Sequence, residues 1–266
     1  MNTAFVSDPE EKNDSKDAPH LSNSQLQKYC SCPEQYRLHY LEKLRPRVVS
    51  ASLVFGSVMH LALAEHFRHG HDPAAIFERE WQALHEIELR YSRKEDWSFL
   101  HAAGLVLLDL FCREHAPRIT RVIATEAPFG LTLTNLNLPF VGIIDLVGEV
   151  DKKITLVDFK TAGIDFEEYE VELLDQLTAY QLACPEVEQA ALCIFLKQKK
   201  PRIVWHLTRR DPSQVMEYLQ KAETVADQIA RGVFYKRFGR WCRQCEFLPL
   251  CLGDQAKAAK TLIRIG

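Results

Sequence analysis

No stretch of the chain reaches the roughly 18 consecutive apolar residues that a membrane-crossing helix needs, and none reads as such a span. The first twenty residues lack the apolar centre of a secretory leader and are rich in Asp, Glu, Lys, Ser and Pro. Neither sign of charge dominates: 33 Lys and Arg stand against 36 Asp and Glu, a formal net charge of -3. The total therefore gives no simple sign of a nucleic-acid partner. There is no Gly-x-x-x-x-Gly-Lys-Ser/Thr sequence, which excludes the phosphate loop of a nucleotide-driven motor. There is no internal repeat.

What is present is an ordinary globular composition. The 266 residues are 47% apolar and 26% charged, which suits one large domain, or one domain with a small accessory lobe. Eight cysteines occur. The missing leader points to the cytoplasm, where stable disulfides are rare, so clustered cysteines suggest a metal site before a disulfide framework. Charge is uneven along the chain. Between Lys197 and Arg243 there are twelve Lys or Arg against four Asp or Glu. That excess is either a surface that meets phosphates or a solvated helix face with strand-end lysines.

Residues 1–20 read as a disordered polar tail. Ser22 with Gln25 forms a capping box for a helix running to about Leu41. A second helix should start near Gly56 and end at Gly70. Further helical patterns cover 74–91 and 97–115. The period then turns to alternation: strands are expected over 121–129, 136–148 and 154–160, a helix over 168–183, strands over 190–197 and 203–208, and a helix opened by Asp211 and Pro212 that runs to about Arg231. This order indicates an α/β or α+β domain, taken as α/β, with a central mixed sheet flanked by helices, a helical N-terminal lobe over about 21–118, a core over about 119–235 and a cysteine-rich segment over 236–266.

The informative residues are charged ones inside apolar strands. Asp145 ends Gly-Ile-Ile-Asp and Asp158 sits in Val-Asp-Phe-Lys, positions where Asp is normally excluded. A hairpin centred between Asp151 and Lys152 pairs 150 with 153 and 145 with 158, with the two carboxylates about 5 Å apart. Like charges so placed repel, and a divalent cation such as Mg²⁺ or Mn²⁺ removes the penalty. Lys160 shares the face of Asp158; beside a carboxylate-bound metal it can orient or help deprotonate water and offset charge on a phosphorane-like transition state. The alternative is a solvent-facing edge with an Asp–Lys ion pair. His60, early in an apolar helix, is either a boundary histidine or a further metal ligand. Glu126, in the first strand, is either an edge residue or part of the same site. Gln176 and Tyr180 are four apart on one helix face, where they pack at the surface, or bind phosphate and hold the lysine.

Taken in order, these residues resemble the RecB-like branch of the PD-(D/E)xK nuclease superfamily. The resemblance runs from Leu21 to Cys251, through Leu-Ser-Asn-Ser-Gln-Leu, Cys-Pro-Glu-Gln-Tyr, Phe-Gly-Ser-Val-Met-His60, Thr-Glu126-Ala-Pro-Phe, Gly-Ile-Ile-Asp145, Val-Asp158-Phe-Lys160-Thr and Gln176-Leu-Thr-Ala-Tyr180. It implies a restriction-endonuclease-like core and a metal-dependent deoxyribonuclease. In that pattern Asp145, Asp158, His60 and the Phe159 backbone carbonyl hold Mg²⁺ or Mn²⁺. Lys160 is the catalytic lysine, Glu126 an acidic partner, and Gln176 and Tyr180 position DNA. Ile144 stands where the superfamily name has proline. The resemblance further implies an exonuclease on single-stranded or frayed DNA ends, serving repair, recombination or CRISPR adaptation beside a helicase or integrase partner. A catalytically inactive DNA-binding scaffold on the same fold is the alternative.

Cys242-x-x-Cys245-x5-Cys251 closes the chain as a ligand cluster lacking one member. Cys32 is the natural fourth, with Cys30 a competitor. In the AddB nuclease domains and the CRISPR-associated exonucleases this one-plus-three pattern holds a [4Fe–4S] cluster that staples the chain ends together. Zinc is the rival occupant, since it also accepts four thiolates. Cys112, Cys184 and Cys193 lie in apolar contexts and are expected in the core.

Overall fold

The structure, a computed structural model, describes residues 20–132 and 138–265. The polar tail expected over 1–20, apart from His20, and positions 136 and 137 of the second expected strand lie outside the described residues.

Helix α1 (Asn23–Ser31) begins where the Gln25 N–H donates to Ser22 Oγ, at 3.3 Å. The helix expected to reach Leu41 is interrupted. Pro33 disfavours helical backbone at the residue before it, and Cys32 is extended at φ -165°. Helix α2 (Pro33–Tyr36) then runs into a π-helical turn over Arg37–Leu41. Strands β1 (Leu44–Pro46) and β2 (Val49–Ser50) lead to α3 (Ala51–His69), which stops at Gly70 in the left-handed conformation, φ 70°. Helix α4 (Pro73–Ala83) is shorter than the expected 74–91. Residues 85–88 are all exposed, so no apolar stripe holds a helix there, and the chain instead forms β3 (Leu89–Arg90), parallel to β2. Helix α5 (Trp97–Leu110) continues through a π-turn to His115.

The sheet is a meander of β4 (Ile119–Leu131), β5 (Phe140–Val150) and β6 (Lys153–Ala162), followed by α6 (Glu168–Glu172), α7 (Asp175–Ala183), β7 (Gln189–Leu196), β8 (Arg202–Thr208) and α8 (Pro212–Ala230). The single helix expected over 168–183 is two. The buried Arg210 guanidinium donates to the carbonyls of Val171 and Leu174, at 2.7 and 3.1 Å, and fixes the turn between them. Strand order is β4-β5-β6-β7-β8, antiparallel except for the parallel β6–β7 pair, which the α6–α7 crossover permits.

All eight residues of β7 are buried, as a strand covered on both faces must be. On one face Leu192 and Ile194 meet Leu26 of α1, Leu177 and Tyr180 of α7 and Ala222 of α8. On the other, Cys193 and Phe195 join Phe55, Phe77, Trp81, Leu107 and Phe111 from α3, α4 and α5. Cys184 is also buried, whereas Cys112 is only half-buried. The C-terminal segment adds α9 (Leu248–Cys251), α10 (Gln255–Thr261) and β9 (Leu262–Arg264); β9 pairs antiparallel with β1, Leu44 opposite Arg264. Leu38, Phe247, Ala258 and Leu262 close a small third core there.

Candidate active site

The β5–β6 ladder runs from Val150 opposite Lys153 to Leu146 opposite Val157, and stops. The expected pairing of 150 with 153 is present, but that of 145 with 158 is not made. Two side-chain contacts account for the break. Asp145 Oδ2 accepts the Phe159 N–H at 2.8 Å, and Thr125 Oγ1 donates to the Asp145 carbonyl at 3.1 Å. On the neighbouring strand Glu126 has φ 48° and makes no ladder pair, although the Thr125–Leu146 and Ala127–Ile144 pairs on either side keep one register, which puts Glu126 level with Asp145. Left-handed backbone is uncommon outside glycine and asparagine. The β4–β5 and β5–β6 ladders thus both lack a pair at the level of Asp145, and the charged residues sit there.

Helix α3 reaches this level because Gly56 lets it lie close on β6: a Cβ on Gly56 would stand 3.3 Å from Thr161 Oγ1. One turn on, His60 Nδ1 lies 3.3 Å from Asp145 Oδ1. On β6, Lys160 Nζ lies 3.0 Å from Asp158 Oδ2 and donates to Gln176 Oε1 at 2.7 Å. Gln176 Nε2 donates to Tyr180 Oη at 2.6 Å, and the Tyr180 hydroxyl donates to the Ile143 carbonyl at 2.7 Å. Helix spacing of four puts the amide over the phenol, and the resulting chain of donors fixes the ammonium beside Asp158.

Asp158 is buried, at 1% exposure, and burial drives its pKa up; the charge of Asp145 adds to this, while Lys160 and His60 oppose it. Its Oδ2 has no hydrogen-bond partner. The ammonium contact is close enough for charge attraction but lacks hydrogen-bond alignment, so one lone-pair direction is left open. For His60, burial works against the imidazolium, yet the hydrogen bond and charge of Asp145, with Asp158, outweigh it and raise the pKa. Burial, then the Asp158 charge, raises Tyr180 and keeps it a phenol that can donate.

Glu126 is at the periphery, with its carboxylate 3.9 Å from Arg68 Nη2. Arg68 on α3 was not singled out by motif; its only sequence signal is its position two turns beyond His60. Phe159 is opposite Cys193 in the parallel ladder. Among the described residues no three His, Cys, Asp or Glu side chains already stand together as a metal-binding group. The donor chemistry nonetheless suits a hard divalent cation: two carboxylates, one with an unsatisfied buried oxygen, beside an imidazole.

The sequence profile of the PD-(D/E)XK nuclease superfamily matches residues 20–252. The chain belongs to that superfamily. Its five-stranded mixed sheet flanked by helices is consistent with the restriction-endonuclease-like fold. No curated protein matches the sequence. Among solved structures, a Eubacterium rectale protein provisionally named an exonuclease is 13% identical, with a TM-score of 0.57 over 90% of this chain and 93% of that one. It supports the fold. SSO0001 (14% identical, TM-score 0.39, over 87% of this chain and 93% of that one) and VC1899 of Vibrio cholerae (12%, 0.24, over 80% and 57%) are too distant in shape to add to it.

This PD-(D/E)XK chain has a second concentration of chemistry away from the sheet. Cys32, Cys242, Cys245 and Cys251 line one cavity of ≈ 380 Å³, together with Leu38 and Phe247; Cys30 is not part of its wall. The Arg237 N–H approaches Cys32 Sγ at 3.5 Å and the Gly239 N–H approaches Cys242 Sγ at 3.4 Å. Burial, then Glu246, Cys251 and Cys32, push the Cys245 thiol up to about 11. Burial raises the Cys251 thiol as well, and binding a soft cation would displace the protons from both.

Proposed function

We propose that this nuclease-superfamily protein hydrolyses DNA phosphodiester bonds with Mg²⁺ or Mn²⁺, as an exonuclease of the RecB-like branch acting on single-stranded or frayed ends. The observation that carries the reading is Lys160, held between Asp158 and Gln176 beside an unsatisfied carboxylate oxygen. Asp145, Asp158 and His60, with the Phe159 carbonyl, would hold the cation, which supplies Lewis-acid polarisation of the phosphate and a more acidic water. Lys160 is placed to orient the attacking water and to stabilise charge developing on the phosphoryl oxygens. Gln176 keeps the ammonium in place, Tyr180 keeps Gln176 in place, and Glu126 with Arg68 borders the substrate side. The name borne by the Eubacterium rectale neighbour is in line with exonuclease action. With no phosphate loop in these residues, unwinding would come from a partner such as a helicase or from the substrate, in repair or recombination, and in CRISPR adaptation the chain would trim ends beside an integrase.

The four cavity cysteines would hold a [4Fe–4S] cluster. What supports this is their convergence on one cavity from both ends of the chain. Zinc is the competing occupant.

The deciding experiment is incubation of the purified protein with end-labelled single-stranded DNA and Mn²⁺. Progressive release of label, abolished by Asp158→Ala and by Lys160→Ala, is expected. Equal cleavage by the three proteins would remove the site.

A further inference from the structure

Residues 235–243 read Tyr-Lys-Arg-Phe-Gly-Arg-Trp-Cys-Arg: three aromatics and four basic residues, with no acid. A charged, aromatic stretch of this kind normally sends its rings inward. Here Phe238 is 64% exposed, Tyr235 55% and Trp241 45%, Lys236, Arg237, Arg240 and Arg243 are exposed as well, and Lys236, Arg237, Phe238 and Trp241 form one side of the cysteine cavity. The rings are held in place. The Glu34 N–H donates to the Tyr235 carbonyl at 3.1 Å, and Arg237 Nη1 donates to the Cys30 carbonyl at 2.5 Å. The Trp241 indole N–H donates to the Arg237 carbonyl at 3.0 Å, while the Arg237 guanidinium lies 5.1 Å from the indole centre. Gly239 makes room for this: a Cβ there would stand 2.3 Å from the Trp241 ring.

We propose that this segment is a second binding surface for single-stranded DNA, on which bases stack against Phe238 and Trp241 while Arg240 and Arg243 meet the phosphates; Lys236 donates to the Cys251 carbonyl at 3.0 Å and adds its charge. The inference rests on the reading of the chain as a DNA nuclease and adds where a strand is held outside the active site. Charge selects the partner. Exposed aromatics alone would suit a protein, but four cations without an acid among them suit a polyanion whose monomers each carry a flat ring. Of the nearby acids, Glu34 is paired with Arg37 at 2.7 Å. Position also fits. Arg237 holds the carbonyl of Cys30 on α1, α1 packs against α7, and α7 carries Gln176 of the active site. The surface and the catalytic lysine are therefore linked through α1 and the start of α7.

The test is binding of oligothymidylates of graded length to the full chain, followed by tryptophan fluorescence, without added divalent cation so that no hydrolysis is needed. Binding should quench emission in the wild type, and Trp241→Phe should remove the binding-dependent part. Phe238→Ala should weaken affinity roughly 5- to 150-fold, the range for stacking of one base. Arg240→Ala with Arg243→Ala should lower the slope of log affinity against log salt by about 1.4, since each single-strand phosphate contact contributes about 0.7. An unchanged Tm would show that these exposed substitutions leave the fold intact. Wild-type affinity in Phe238→Ala, or equal quenching by a blunt duplex, would overturn the surface. Neither result would bear on the nuclease reading, which stands or falls on cleavage with Mn²⁺.

Discussion

Asp145 and Phe159 are joined side chain to backbone: Oδ2 of the one accepts the N–H of the other, where the β5–β6 ladder ends. The carboxylate thus satisfies a backbone donor of a buried residue and also faces His60. These two tasks separate by mutation. Asp145→Asn keeps an acceptor for the amide and should leave stability near wild type while abolishing Mn²⁺-dependent cleavage. Asp145→Ala orphans the Phe159 N–H and should cost about 1–3 kcal/mol in addition. Urea unfolding of both variants checks this, and equal stability of the two would contradict it.

Asp158 should trade stability for function. Its pKa is raised in the folded state, so its protonated form is the one the fold prefers; the associated stability is full below the ordinary carboxylate range and is lost as pH rises toward the folded value. At neutral pH without cation, Asp158→Asn should therefore raise Tm, by about 2–4 °C per kcal/mol in a chain of this size. Mn²⁺ should raise the Tm of the wild type and not that of the variant. A lower Tm for Asp158→Asn would show that the carboxylate is better satisfied than the structure indicates.

Gln176 is a positioning residue acting through Lys160. Gln176→Leu removes the acceptor at 2.7 Å and should lower kcat by about a hundredfold, the scale of an ångström-sized misplacement. Gln176→Glu retains an acceptor and should recover most of the rate. If both variants lose the rate equally, the amide has another task.

How far the site was legible follows from these residues. Asp145, Asp158 and Lys160 stood out because charges in Ile-, Val- and Phe-rich strands need a reason, and alternation placed Lys160 beside Asp158. The turn at Asp151 and Lys152 gave the register, but not where the ladder would stop, because the Asp145–Phe159 contact is a side-chain event with no periodic signature. The element order was readable for the same reason as the strands. The helix breaks at Cys32 and at Leu173–Leu174 were not. The first follows from Pro33 and was visible in principle; the second depends on Arg210, distant in sequence. The exposure of Phe238 and Trp241 could not be read from composition, which favours burying such rings.

Away from the site, Lys197 pairs with Glu95 in a setting where both side chains are at least nine-tenths buried. Burial pushes the Glu95 carboxyl up, but hydrogen bonds from Lys197, Ser92 and Ser52 and the Lys197 charge hold it below its ordinary value. Such a pair stabilises above the unfolded carboxylate pKa, about 4.3, and is lost as pH falls through the lower folded value. Lys197→Met should cost about 3–5 kcal/mol at neutral pH by stranding the acid, and adding Glu95→Gln should restore much of it. Urea midpoints measured from neutral pH into acid should fall more steeply for the wild type than for the double variant.

The cysteine cavity makes an analytical prediction. Protein purified without oxygen should carry iron and sulfide with broad visible absorption, and Cys245→Ser should lose both. Stoichiometric zinc in colourless protein would assign the site to zinc instead.

The pairing of β1 with β9 brings Leu44 opposite Arg264, two residues separated by most of the polypeptide. Leu38 therefore lacks its Phe247, Ala258 and Leu262 neighbours until segments more than two hundred residues later in sequence have folded against it. Deleting Leu262–Arg264 should therefore leave the segment around Leu38 and β1 open to proteases that the full chain resists.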